Sequence, residues 1–159
     1  MDFYGGYKFD IAPDFTGDVG VLYYYYPGAQ IVGGKKYNTT ELYAAGTYKW
    51  FTLKYSNAVS DFFGAPGSDG SDYIELNAAF EVADKTTLGF HVGHQKVKNV
   101  ENADYTDYKV SIARDFGFAT IGLAIVGTDL NNDGLLTSAS GKSKKTAGTT
   151  GVLSISKAF

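Results

Sequence analysis

Cysteine is absent from this 159-residue chain, which removes disulfides, thiolate metal ligands and a cysteine nucleophile from consideration. Methionine and tryptophan occur once each and proline three times. The straight-chain apolar residues that favour helices are correspondingly scarce. Positive charge is also short: 14 Lys and Arg stand against 17 Asp and Glu, for a formal net charge of -3. A chain without a basic stripe cannot neutralise phosphates, so nucleic acid is excluded as a partner. Long hydrophobic runs are missing as well. The stretch from Ala119 to Val126 is interrupted by Thr120 and Gly122, and it falls far below the roughly 20 residues that a membrane-spanning helix needs.

What the chain does have is 13 tyrosines, 11 phenylalanines and 20 glycines, a composition of strand formers and turn formers. The length suits a single domain over residues 1–159. Apolar and polar residues alternate with a period of two. Phe3, Gly5, Tyr7, Phe9 and Ile11 share one face, with Tyr4, Gly6, Lys8 and Asp10 on the other. The same alternation runs through Glu41 to Trp50 and Tyr73 to Val82, where Ile74, Leu76, Ala78, Phe80 and Val82 oppose Tyr73, Glu75, Asn77, Ala79 and Glu81. It continues at Tyr108, Val110 and Ile112, and again at Ile121, Leu123 and Ile125. About nine strands are expected. Several approach ten residues, the length at which a tilted strand crosses a bilayer and longer than the usual soluble strand.

The connections alternate in length. Short ones are expected at Ala12 to Phe15, Lys49 to Phe51, Ala83 to Thr86 and Asp115 to Phe118. Long ones, rich in Gly, Asn, Asp, Ser and Lys, fall at Pro27 to Thr40, Asp61 to Ser71, Val97 to Asp104 and Asp129 to Thr146. Aromatic residues gather beside both kinds. Tyr23, Tyr25 and Phe62 lie by long loops, Trp50, Phe80 and Phe116 by short ones, and Phe159 ends the chain. Together these features predict an all-β, antiparallel, up-and-down transmembrane β-barrel. Its turns would face the periplasm, its long loops the outside, and aromatic girdles would sit at both membrane interfaces.

An odd strand count places the first strand's start at the end opposite the last strand's finish, whereas bacterial barrels have an even number. The N-terminal residues Met1-Asp2-Phe3-Tyr4-Gly5-Gly6 carry no basic start, apolar core or small-residue cleavage site. The expectation is that an odd number of strands precedes Asp2 in the full barrel.

Several stretches resemble one family. They are Asp2-Phe3-Tyr4-Gly5-Gly6-Tyr7-Lys8, the tyrosine run Tyr23-Tyr24-Tyr25-Tyr26 closed by Pro27-Gly28, Thr52-Leu53-Lys54-Tyr55-Ser56, Leu88-Gly89-Phe90-His91-Val92-Gly93-His94-Gln95, and the ending Ser154-Ile155-Ser156-Lys157-Ala158-Phe159. These resemble the TorF-type porins across nearly the whole chain. The resemblance implies an exported barrel of the Gram-negative outer membrane with about three further N-terminal strands, and only loosely a porin role. The last strand, with Leu153, Ile155 and Phe159 on one face, resembles the closing strand that the barrel-assembly machinery reads. Lys157 departs from that pattern by standing on the outward face, where its stem can reach the headgroups.

If apolar side chains face lipid, the other face lines the lumen. Lys8, Asp10, Glu41, Lys49, Lys54, Glu75, Asn77, Glu81, His91, Gln95, Asp107 and Lys109 are the pore-lining candidates. Both signs are represented, so the reading is passive diffusion of small hydrophilic solutes without strong charge selectivity. The bland alternative is that these groups pair and plug the interior, giving a closed structural or adhesive barrel that acts through its loops. A third alternative is a soluble lipocalin-like barrel with its apolar side inward. The candidate partners are the lipid bilayer, the assembly machinery, small solutes and further copies of the chain.

Asp129, Asn131 and Asp133, followed by Gly134, match the opening of a calcium loop, but Ser140 stands where a bidentate glutamate belongs. An ordinary Asn/Asp/Gly turn is the competing reading, and no metal or cofactor is assigned. His91 and His94 are three apart on a strand and so point to opposite faces. No nucleophile elbow, phosphate loop or zinc motif is present, and the chain is read as non-enzymatic.

Overall fold

The computed structural model describes residues 1–28, 35–130 and 147–157. Its elements are β1 (Asp2–Ala12), β2 (Phe15–Tyr24), β3 (Thr39–Tyr48), β4 (Phe51–Ala58), β5 (Asp72–Ala83), β6 (Thr86–Lys96), β7 (Tyr105–Asp115), β8 (Thr120–Thr128) and β9 (Thr150–Ser156). A 3-10 turn, Phe62–Gly64, interrupts the β4–β5 connection. Each strand pairs with the next in one antiparallel sheet of order β1 through β9. The sheet is not closed: among the described residues β1 and β9 are its edges.

The short connections are tight because residues at each accept the left-handed conformation. Asp14, Lys49 and Lys85 have φ of 61°, 51° and 55°, and Gly117 has φ of 83°. Register shifts between Asp10 and Ala12 and between Glu81 and Ala83 absorb the extra residue at two of these turns. The strand expected to run to Trp50 stops at Tyr48, so Lys49 and Trp50 form the turn itself. The turns are tied sideways by Lys49 N donating to Asp14 O at 3.0 Å and Asp115 N to Lys85 O at 3.0 Å.

Burial is inverted relative to a soluble domain. Ile74, Leu76 and Ile125 are 45%, 43% and 57% exposed, while Glu75 and Asn77, which alternate with the first two along β5, are half-buried. The buried apolar residues among those described are only Ala58, Val97, Ala103 and Ala119. No leucine, isoleucine or phenylalanine is among them. Leu42, Leu53, Val92, Val110, Ile112, Leu123 and Leu153 share the exposed face with Ile74, Leu76 and Ile125. Soluble monomers rarely present an apolar surface this continuous, because each such side chain would gain about 1.5–3 kcal/mol by burial.

Aromatic rings on the apolar face gather at the ends of the strands. At the turn end, Phe80 meets Trp50, Phe51 and Phe90 with centroids 5.8–6.1 Å apart, and Phe116 lies 6.2 Å from Phe118. At the loop end, Tyr23 stacks with Phe3 and Tyr25 at 6.4 and 6.2 Å. Phe62 is placed differently. It sits off the strands, edge-on to Phe63 at 4.7 Å. Phe159 lies outside the described residues.

Candidate functional site

The second face of the sheet is polar and sheltered, and the strand register sets its charged groups at one level. Lys8 pairs across with Asp18, Asp18 with Ala45, Ala45 with Lys54, Lys54 with Glu75, Glu75 with Gly93, Gly93 with Asp107, and Asp107 with Thr128. Because directly opposed residues on antiparallel strands point the same way, five charged side chains form a row across seven strands. A second row runs Asp10, Thr16, Thr47, Thr52, Asn77, His91 and Lys109.

Hydrogen bonds knit these rows together. The Tyr43 hydroxyl donates to Asp18 Oδ1 at 3.2 Å, and the Lys54 ammonium lies 5.1 Å over the Tyr43 ring. Lys54 Nζ is 3.4 Å from Glu75 Oε1. Asn77 Nδ2 donates to Glu75 Oε2 at 2.9 Å, which turns its oxygen toward His91 Nδ1 at 2.8 Å. His91 Nε2 is 2.8 Å from Asp107 Oδ1, and Tyr73 donates to Asp107 Oδ2 at 2.9 Å. Both ring nitrogens of His91 therefore face acceptors, and a ring with hydrogen on one nitrogen can donate to only one of them at a time. The network spans β2 to β7. Among the described residues no buried side-chain nitrogen or oxygen is left without a partner.

Glycine makes room for the two tyrosines. A β-carbon on Gly20 would fall 2.6 Å from the Tyr43 hydroxyl, and one on Gly93 would fall 2.8 Å from Tyr73 Cε2. Each ring occupies the space beside a glycine on a neighbouring strand; Tyr43 delivers its hydroxyl to Asp18 on the strand of Gly20, and Tyr73 to Asp107 one strand past Gly93. Hollows of about 740 and 320 Å³ open on this face. The larger is lined by Glu75, Asn77, His91, Asp107 and Lys109, the smaller by Lys8, Asp18, Tyr43 and Lys54.

Of the sequence candidates, Lys54, Glu75, Asn77, His91 and Asp107 are brought into this network, and Lys8, Asp10, Glu41 and Lys109 share its face. Lys49 stands in a turn with its ammonium 5.4 Å over the Tyr48 ring. Glu81 is exposed at the end of β5 and accepts from Lys85 N at 3.1 Å, closing a turn. Gln95 is buried and donates to the carbonyls of Asp72 and Lys96. Sequence reasoning missed Asp18, Tyr43, Tyr73 and Gly93. Asp18 was legible from its alternation with Thr16 and Gly20, but nothing in the sequence marks which glycine a distant ring will cover.

His94 is on the apolar side, exposed, with Nδ1 3.2 Å from Thr106 Oγ1. Asp129 accepts from Thr106 N, while Asn131 and Asp133 lie outside the described residues. Among the described residues no three His, Asp or Glu side chains converge as a metal site.

Beyond the strands, Asp61 is bound by the Lys35 ammonium and accepts from Gly67 N at 2.9 Å. The Lys35 hydrogen bond leads in holding its carboxyl below the usual carboxylate range, and the Gly67 amide assists against a smaller opposing effect of burial.

No curated protein and no solved structure matches the chain. Residues 1–159, its whole length, match the family described as Bacterial protein of unknown function (Gcw_chp), and the chain belongs to that family.

Proposed function

We propose that this chain forms the wall of an outer-membrane β-barrel that acts as a passive channel for small hydrophilic solutes and carries out no chemistry. The observation that carries this reading is the inversion of burial: aliphatic side chains are exposed on one face, and a hydrogen-bonded charged network is sheltered on the other. A bilayer is the solvent in which that arrangement is favourable, because hydrocarbon accepts the aliphatic face and a water-filled interior solvates the charged one. Strands of 7 to 12 residues, aromatic clusters at both strand ends, and the likeness to TorF-type porins support it.

The membrane reading requires closure, since an unpaired strand edge in hydrocarbon leaves its N–H and C=O groups unsatisfied. In a nine-strand meander β1 and β9 run in the same direction. A seam that is antiparallel throughout therefore takes an odd number of strands between them. Reconstitution into planar bilayers tests the proposal. Discrete conductance steps are expected, and a protein that inserts without conducting defeats the channel.

A second reading is favoured by one specific observation, the mutual pairing of Lys54 with Glu75, Tyr43 with Asp18 and Tyr73 with Asp107. Groups paired in this way fill space, so a closed barrel acting through its loops is the rival. In that case removal of residues 129–146 abolishes the biological role and leaves permeability at zero before and after.

A further inference from the structure

Among the described residues, five of the most enclosed lie in one place, at the long-loop end of the sheltered face. Thr39, Ser56, Ala58, Ser68 and Ser71 are each at most 5% exposed. Thr39 has Glu41 and Tyr43 as its alternate neighbours, and Ser56 and Ala58 follow Lys54 in the same alternation, so all three point to the polar side of the sheet. What encloses them is the β4–β5 connection.

That connection folds back across the polar face. Phe63 N donates to Thr39 Oγ1 at 2.7 Å, and the Phe63 ring packs on Tyr24 and Tyr26 at 5.3 and 5.9 Å. Tyr24 is directly opposite Thr39 in the β2–β3 register and shares its side. Holding this path takes unusual backbone. Phe63 has φ 45° and ψ 42°, a left-handed conformation that is sterically costly for a bulky L-residue and persists only where surrounding contacts impose it.

The contacts come from both sides. Toward β2–β3, Asp61 binds Lys35, and Gly64 lies so close to that connection that a β-carbon would be 2.9 Å from Lys36 O. Toward β6–β7, Asn99 Nδ2 donates to Gly67 O at 2.8 Å, Lys98 Nζ to Asp69 O at 2.9 Å and Lys98 N to Ser71 Oγ at 3.1 Å. Within the loop, Phe62 N donates to Ser68 Oγ at 2.7 Å, and Ser71 Oγ to Ser68 O at 2.6 Å.

We propose that residues 59–71 form a fixed constriction that sets the upper size of solute able to reach the charged rows below. This deepens the channel reading and rests on it. The segment is pinned to wall residues and to two neighbouring connections, so it acts as a standing obstruction and not as a lid that opens and closes. Selection at this level is by cross-section, with an aromatic surface of Tyr24, Tyr26 and Phe63 on one side of the passage.

The test compares the full chain with a variant in which residues 61–69 are replaced by two glycines. Both are refolded in detergent and inserted into planar bilayers and into vesicles swollen with sugars and polyethylene glycols of graded size. The expected result is at least a twofold rise in conductance and a shift of the swelling cutoff to larger solutes. If the replacement variant does not insert, the double variant Thr39→Val with Asp61→Ala keeps every strand. It should show the same rise in conductance, with added current noise as the freed loop moves. Equal conductance and equal cutoff in wild type and variants overturn the constriction while leaving the channel standing. Inserted wild type and variants that are all silent overturn both.

Discussion

The ring of Tyr73 occupies the space that a side chain on Gly93 would fill, and through that gap its hydroxyl reaches from β5 past β6 to Asp107 on β7. Gly93→Ala should therefore push the ring aside and break the bonds to Asp107 and His91. The expected loss is about 1–3 kcal/mol, the usual consequence of overpacking. Urea unfolding of the folded protein in detergent micelles reads it. An alanine variant as stable as wild type would mean that the tyrosine has another resting place.

The two faces of the sheet should tolerate charge unequally. Leu76→Lys places an ammonium on the apolar face at mid-strand, where about 2–4 kcal/mol of destabilisation is expected in lipid. Ser111→Lys puts the same charge on the sheltered face beside the hollow lined by Asn77 and Lys109, and should change stability by less than about 1 kcal/mol. Unfolding titrations in phospholipid vesicles separate the two, and a larger penalty for Ser111→Lys would refute the membrane orientation.

Lys54 sets how negative the charged row is. Lys8 and Lys54 stand there against Asp18, Glu75 and Asp107, and Lys54→Glu leaves one lysine against four carboxylates. The reversal potential in a salt gradient should shift toward cation preference. Stability should fall by at least about 1 kcal/mol, because the reversal both removes the ion pair and sets a second carboxylate opposite Glu75. An unshifted reversal potential would place the row outside the conducting path.

Acid should loosen the loop that Asp61 anchors. Its folded-state pKa is depressed, chiefly by Lys35, so its stabilising contribution is fully present above the unfolded carboxylate value of about 3.9 and is lost as pH falls through the lower folded value. Limited proteolysis between residues 61 and 70 should accelerate as pH drops below about 4. In Asp61→Asn that acceleration should be absent and cleavage already fast at neutral pH.

The turn at Lys85 carries a removable strain. With φ of 55°, glycine at this position avoids the clash of the β-carbon, and Lys85→Gly should stabilise the protein by about 0.5–1 kcal/mol. A heat-denaturation midpoint that falls in this variant would show that the lysine side chain makes a compensating contact.

The candidate site was partly legible. Lys54, Glu75, Asn77, His91 and Asp107 could be assigned to one face because strand alternation is local and needs no knowledge of partners. Lys49 obeys the same alternation on paper, yet β3 ends at Tyr48 and Lys49 is spent on the turn, while Glu81 stays in β5 but at its exposed end, where it binds the turn amide of Lys85. Tyr43 and Tyr73 fall on the charged face by the same alternation, but nothing local gives them a partner. Their place in the network depends on Gly20 and Gly93, which lie 23 and 20 residues away in the chain.

The alternation of side chains, the positions of turn formers and the scarcity of long apolar runs determined by themselves that this is a meander of antiparallel strands with one greasy and one charged face. These properties repeat every second residue, and short-range sterics are enough to express them. Which charges share a level, which rings cover which glycines, and that residues 59–71 turn inward were decided only by tertiary structure. Register and loop packing depend on contacts between residues tens of positions apart, and those contacts exist only once the strands have paired.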